Sequence, residues 1–125
     1  MRKHFISADA PKPIGPYTQG VAAGGLMFLS GQIPLDPHTN ELVEGGIEAQ
    51  TEQVMKNISA ILEEAGSSVK QLVKCGIFLA DFDDFAAMNE VYGKFVGPEP
   101  PARATVQVAY LPSGLKIEID AIAHL

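Results

Sequence analysis

Arg103 follows Pro100-Pro101 and Ala102 at the start of an alternating run that extends to Tyr110, and Arg2 is the one other arginine in the chain. A guanidinium is always charged and presents a planar fork matched to a two-oxygen acceptor, so burying it unpaired is costly. The carboxylate it needs is either the protein's own, with Glu118 as the candidate, or a ligand's. From pattern alone the internal ion pair is the commoner arrangement. A ligand site would draw on Gly31, whose backbone N–H could join the guanidinium in holding an anion, and on the hydroxyls of Ser30 and Tyr17. Such a site could bind a small carboxylate and, with Glu118 as base, deliver water to it.

Other chemistries find little support. His4, His38 and His124 fall in unrelated segments without ligand spacing, so no metal is expected. Cys75 sits in an apolar run with no histidine near it, which reads as a small core residue. Ser30 lacks a glycine-flanked elbow, and neither Gly24-Gly25 nor Gly45-Gly46 is followed by a phosphate-loop lysine. Asp81, Asp83 and Asp84 read as a helix start, because a calcium loop needs further ligands at fixed spacing. Fifteen acidic against nine basic side chains give a net charge of −6, which disfavours nucleic acid as a partner. The charged N-terminus and the absence of a long apolar run predict a soluble, unprocessed protein with no membrane partner. A lone cysteine fits a reducing compartment, most simply the cytoplasm.

The elements that must position these residues follow from periodicity. The 125 residues, 46% of them hydrophobic, predict one domain over residues 1–125 with a single core. Residues 3–7 alternate as a first strand, Tyr17 to Ala23 form a second, and Ala23-Gly24-Gly25 turns into a third at Leu26 to Ser30, ended by Gly31. Met55, Ile58, Ile61, Leu62 and Ala65 recur at helical spacing between Glu48 and Ala65, with Gly66 as the stop. Gln71 to Ala80 reads as a mostly buried strand. Asp83 then caps a helix whose stripe Phe85, Met88, Val91, Tyr92 and Phe95 is core, before Gly97-Pro98 breaks it. Ala102 to Tyr110 and Lys116 to His124 are the closing strands. The order β-β-β-α-β-α-β-β implies an α+β fold with the helices on one face of a mixed sheet. An antiparallel pairing of the last two strands through Leu111 to Leu115 would put Arg103 and Glu118 in one polar patch on the open face, and other subunits are expected to cover that face.

Four separated segments carry a family resemblance: Pro11 to Gln19 (PKPIGPYTQ), Leu29 to Pro34 (LSGQIP), Met88 to Tyr92 (MNEVY), and Pro101-Ala102-Arg103 with Ile117-Glu118-Ile119. Together they resemble the Rid family, the reactive intermediate deaminases, and within it the RidA subgroup. The resemblance implies a chorismate-mutase-like fold, two helices on a six-stranded sheet, assembled as a homotrimer with a central β-barrel and clefts between subunits. It implies hydrolysis of 2-imino acids, released by pyridoxal-phosphate dehydratases, to 2-keto acids and ammonia without a cofactor. In that reading Arg103 clamps the substrate carboxylate, Gly31 orients it through backbone, and Glu118 positions and activates water. Tyr17, Ser30 and Asn89 match further cleft positions. Thr105 stands where many RidA proteins have cysteine, leaving its backbone to contact substrate. Gln107 and Tyr110 also depart from common family residues. The alternatives are a non-catalytic trimeric sensor of small carboxylates or protein-binding module, and a ribonuclease or translation inhibitor.

Overall fold

The computed structural model describes residues 1–112 and 114–125, so Ser113 in the Leu111 to Leu115 connection lies outside the described residues. Its strands are β1 (Lys3–Phe5), β2 (Gly20–Ala23), β3 (Leu26–Gln32), β4 (Leu72–Leu79), β5 (Ala102–Gln107) and β6 (Ile117–His124), and its helices are α1 (Ile47–Glu64) and α2 (Phe85–Val96). The strands form one mixed sheet in the order β1-β2-β3-β6-β4-β5, with both helices on one face, as the element order predicted. β2 and β3 join through Gly24 and Gly25, at φ 61° and 77°. Two consecutive left-handed residues make the tight turn whose twist matches that of the strands, and glycine adopts it without a Cβ penalty.

α1 buries Ile47, Val54, Met55, Ile58, Ile61 and Leu62 against the inner face of the sheet, where they meet Met27, Ile77, Ile117 and Ile119. Each such side chain contributes about 1.5–3 kcal/mol on burial. The helix ends where Gly66 turns left-handed: the Gly66 N–H donates to Glu63 O at 3.0 Å and the Ser67 N–H to Leu62 O at 2.8 Å. Ahead of α2, a 3₁₀ turn at Phe82–Asp84 is capped by Asp81, whose carboxylate accepts from the Asp83 N–H at 2.9 Å. Asp83 is therefore not the cap. It supplies the orphan backbone donor, and Asp81, two residues earlier, supplies the acceptor.

The closing strands are not neighbours. β4 lies between them, parallel to β5 and antiparallel to β6. The segment from β4 through α2 to β5 is a parallel crossover, which returns the chain to the outer edge of β4, and the following connection carries it back to the inner edge. Strand partners in register share a face. Arg103 pairs with Cys75, Thr105 with Ile77 and Gln107 with Leu79, all on the helix side, whereas Glu118 pairs with Phe78 on the open side. The expected common polar patch of Arg103 and Glu118 is therefore overturned: they point to opposite faces. Gly31 does not end its strand either. β3 runs on to Gln32 through an irregularity between Leu29 and Gln32, where it carries one more residue than β6 opposite.

Candidate functional site

The predicted site residues separate into two groups. Tyr17, Ser30, Gly31 and Glu118 line one cleft of about 410 Å³, walled by Pro11, Ile14, Ile33, Leu35 and Pro112. Arg103 and Asn89 line another cavity, of about 300 Å³, between the C-terminal half of α2 and the Pro100-Pro101 turn. Thr105 belongs to the second group by strand register, one inward position along β5 from Arg103.

In the first cleft, β6 presents Glu118 against the backbone of Gly31. A Cβ at position 31 would overlap Glu118 Oε2, so glycine is needed there for the carboxylate to lie on the strand. Burial pushes the Glu118 carboxyl above the usual carboxylate range, and the negative charge of Asp120, two residues on and on the same face, pushes it further. A carboxylate with a raised pKa is a stronger base than an exposed one. Ser30 Oγ donates to Thr18 O at 2.6 Å, and Tyr17 Oη accepts from the Ile14 N–H at 3.3 Å. Both hydroxyls thereby fix the cleft's rim.

Three buried amides that sequence reading passed over hold the walls. Gln19 accepts from the Ser7 N–H and donates to Ser7 O, Ala10 O and Pro11 O at 2.9–3.3 Å. Asn57 donates to Ile33 O and Leu35 O at 3.1 Å. Gln50 donates to Gly114 O at 3.0 Å and accepts from the Lys116 N–H at 2.8 Å. Each amide ties one cleft loop to the body, satisfying backbone groups that would otherwise be buried unpaired. The signal for Gln50 and Asn57 was their place on the apolar stripe of α1, where a polar residue needs a partner.

Arg103 sits differently. Its Nη1 donates to Asn89 Oδ1 at 2.7 Å, and its guanidinium carbon lies 5.5 Å from the Phe85 ring centre and 5.2 Å from that of Tyr92. Among the described residues the one ion pair is Lys56 with Glu52, so Arg103 has no carboxylate of its own. The internal pair with Glu118 is not formed. Tyr92 and Phe85, read from sequence as core stripe, also border the guanidinium. Cys75 is buried beneath, and burial pushes its thiol upward, which suits a core residue and opposes a nucleophile.

A family model described as Endoribonuclease L-PSP matches residues 7–125. Reactive Intermediate Deaminase A, chloroplastic, of Arabidopsis thaliana is 45% identical over 126 residues, covering 100% of this chain and 67% of that protein. The crystal structure of RidA from the Antarctic bacterium Psychrobacter matches with a TM-score of 0.94 at 44% identity, covering 98% of this chain and 99% of that one. That of Escherichia coli TdcF with bound serine matches with a TM-score of 0.93 at 42% identity, covering 98% of each chain. The chain belongs to the endoribonuclease L-PSP family, whose members include reactive intermediate deaminases of the Rid group.

Proposed function

We propose that the protein hydrolyses 2-imino acids and their enamine tautomers, such as 2-aminoacrylate, 2-iminopropionate and 2-iminobutyrate, to 2-keto acids and ammonia. The observation that carries this reading is Arg103: a half-buried guanidinium held by a neutral amide oxygen and two rings, with no carboxylate of its own. Its remaining N–H donors suit the carboxylate of a small acid. In one chain Glu118 faces the other side of the sheet, so the two groups meet on one substrate only across a subunit boundary. A homotrimer in which Arg103 of one subunit faces the Glu118 cleft of the next meets that requirement, and burial of the open sheet face at a central barrel would accompany it.

An iminium carbon is already electrophilic, so positioning and one base suffice. Glu118 takes a proton from water as its oxygen attacks C2, giving a carbinolamine. Glu118 then passes that proton to the amine nitrogen, and ammonia leaves as the hydroxyl oxygen gives its own proton to Glu118 and becomes the keto oxygen. Gly31 orients substrate through its backbone, with Tyr17, Ser30, Asn89 and Thr105 completing the pocket. No cofactor enters these steps. The proposed substrates are species that pyridoxal-phosphate dehydratases release, and the proposed location is the cytoplasm, where the protein would meet that supply.

The test is decay of enzymatically generated 2-iminopropionate. Arg103→Ala removes a bidentate contact of about 1.5–3 kcal/mol per charge-assisted bond and should lower kcat/KM by about 10²–10⁴-fold. Undiminished acceleration in that variant would sink the reading. TdcF with bound serine favours a second reading, a sensor that binds small carboxylates without turnover. Glu118→Gln separates the two, because it should abolish turnover while leaving affinity for a 2-keto acid in place. The family description favours an endoribonuclease, which a net charge of −6 opposes. Salt-dependent RNA cleavage lost in Arg103→Ala would establish it.

A further inference from the structure

We infer that Phe82, Phe85 and Tyr92 are positioning residues that clamp both faces of the Arg103 guanidinium, so that only one edge of its fork is left for a substrate carboxylate. This inference rests on the deaminase reading for its ligand, but its geometry stands apart from it. Phe85, Asn89 and Tyr92 lie at helical spacing i, i+4 and i+7 on α2. Seven residues of helix rise about 10.5 Å. Arg103 fills that interval, 5.5 Å from one ring and 5.2 Å from the other. Beyond Phe85 the column continues, since the Phe82 ring stacks on it with centres 4.8 Å apart and planes at 15°.

The two kinds of contact divide the guanidinium between them. Aromatic rings attract a cation at its planar faces, whereas hydrogen bonds use the N–H edges. Asn89 Oδ1 takes one donor on Nη1, and the rings take none. What remains is an edge whose direction is fixed by two flat walls, so less freedom is lost when a carboxylate binds. The column is also tied to the strand that bears Arg103. Gln107, two inward positions along β5, accepts from the Phe82 N–H at 2.8 Å through Oε1, fixing the 3₁₀ turn that carries the outer ring. Tyr92 Oη is buried beside the Cys75 thiol, away from the guanidinium edge. Tyr92 therefore meets the guanidinium with its ring.

Steady-state kinetics on 2-iminopropionate, with pyruvate affinity measured alongside, tests this. Phe85→Leu and Tyr92→Leu should raise KM about 3- to 30-fold with kcat nearly unchanged. Phe82→Leu, at a position 43% exposed and so of little risk to folding, should raise KM about twofold. In an Arg103→Ala background Phe85→Leu should lower pyruvate affinity no further, since no cation is left to clamp. A merely structural ring would lower affinity equally in both backgrounds, and that result overturns the inference, as does an unchanged KM in both leucine variants. If the wild type binds pyruvate through Arg103 without turning over the imine, the deaminase reading alone falls and the same ordering is expected in affinity. A wild type that does neither overturns both.

Discussion

At the Glu118 cleft the backbone surrounds the reactive group, and at Arg103 side chains do. Glu118 lies on the glycine backbone of β3, between loops that Gln19, Asn57 and Gln50 fasten through main-chain carbonyls and amides. Arg103 is held by two rings and an amide, all from α2. The contrast matches the roles proposed for the two groups. A base must have its proton affinity set, which burial and a neighbouring charge accomplish. A guanidinium keeps its charge wherever it is, so what remains to be set is its direction. With the proposed roles, each half alone is incomplete: one would have a base without an anion clamp, the other a clamp without a base.

The largest effect is expected from testing whether those halves belong to different subunits. Arg103→Ala and Glu118→Gln proteins should each be inactive. Co-expressed in equal amounts and purified as mixed trimers, they should recover about a third of wild-type specific activity, because one boundary of the three in each mixed trimer then joins two intact halves. No recovery in mixed trimers would place both halves in a single chain's site and break the comparison.

Why this separation was hidden from the sequence is instructive. Alternation shows that Arg103, Thr105 and Gln107 share a face of their strand, and that Glu118 and Asp120 share one of theirs. It does not show which strands are adjacent. A short connection suggested a hairpin, but β4, nearly thirty residues earlier, takes the place between β5 and β6. Local signals did better: Gly24-Gly25, the α1 stripe and Gly66 each fixed an element through geometry confined to a few residues. The cleft group of Tyr17, Ser30, Gly31 and Glu118 was legible through its motifs. The aromatic walls of Arg103 were not, since a ring at helical spacing reads as core whether it meets leucine or a guanidinium.

A smaller effect separates Gly31 from Gly76. Gly31→Ala would overlap Glu118 Oε2, whereas Gly76→Ala, on the same open face, would overlap Asp120 Oδ1, which accepts from the Gly76 N–H at 3.1 Å. Both should cost about 1–3 kcal/mol in denaturant unfolding. If the backbone places the base, Gly31→Ala should also lower kcat about 10²-fold, as expected for a misplaced reacting group, and Gly76→Ala should lower it far less. Equal kcat losses would mean that the face as a whole, and not the Gly31 contact, matters.

The smallest effect is on stability, and it reaches only one half. Burial, and secondarily Asp120, raise the Glu118 pKa in the folded protein above its unfolded value, so the folded state binds a proton more tightly there. Below both values the carboxyl is neutral in each state and costs nothing. As pH rises through the interval the folded state must bear a disfavoured charge, and stability falls. Glu118→Gln never carries that charge. Its Tm should exceed that of the wild type at pH 7 and converge on it as the pH is lowered toward the ordinary carboxylate range. Arg103→Gln should show no such convergence, because a guanidinium stays protonated throughout that range and its loss is felt equally at every pH. Parallel pH profiles for the two variants would mean that Glu118 is wetter than its place on β6 implies, and the division between a tuned base and a directed cation would lose its physical ground.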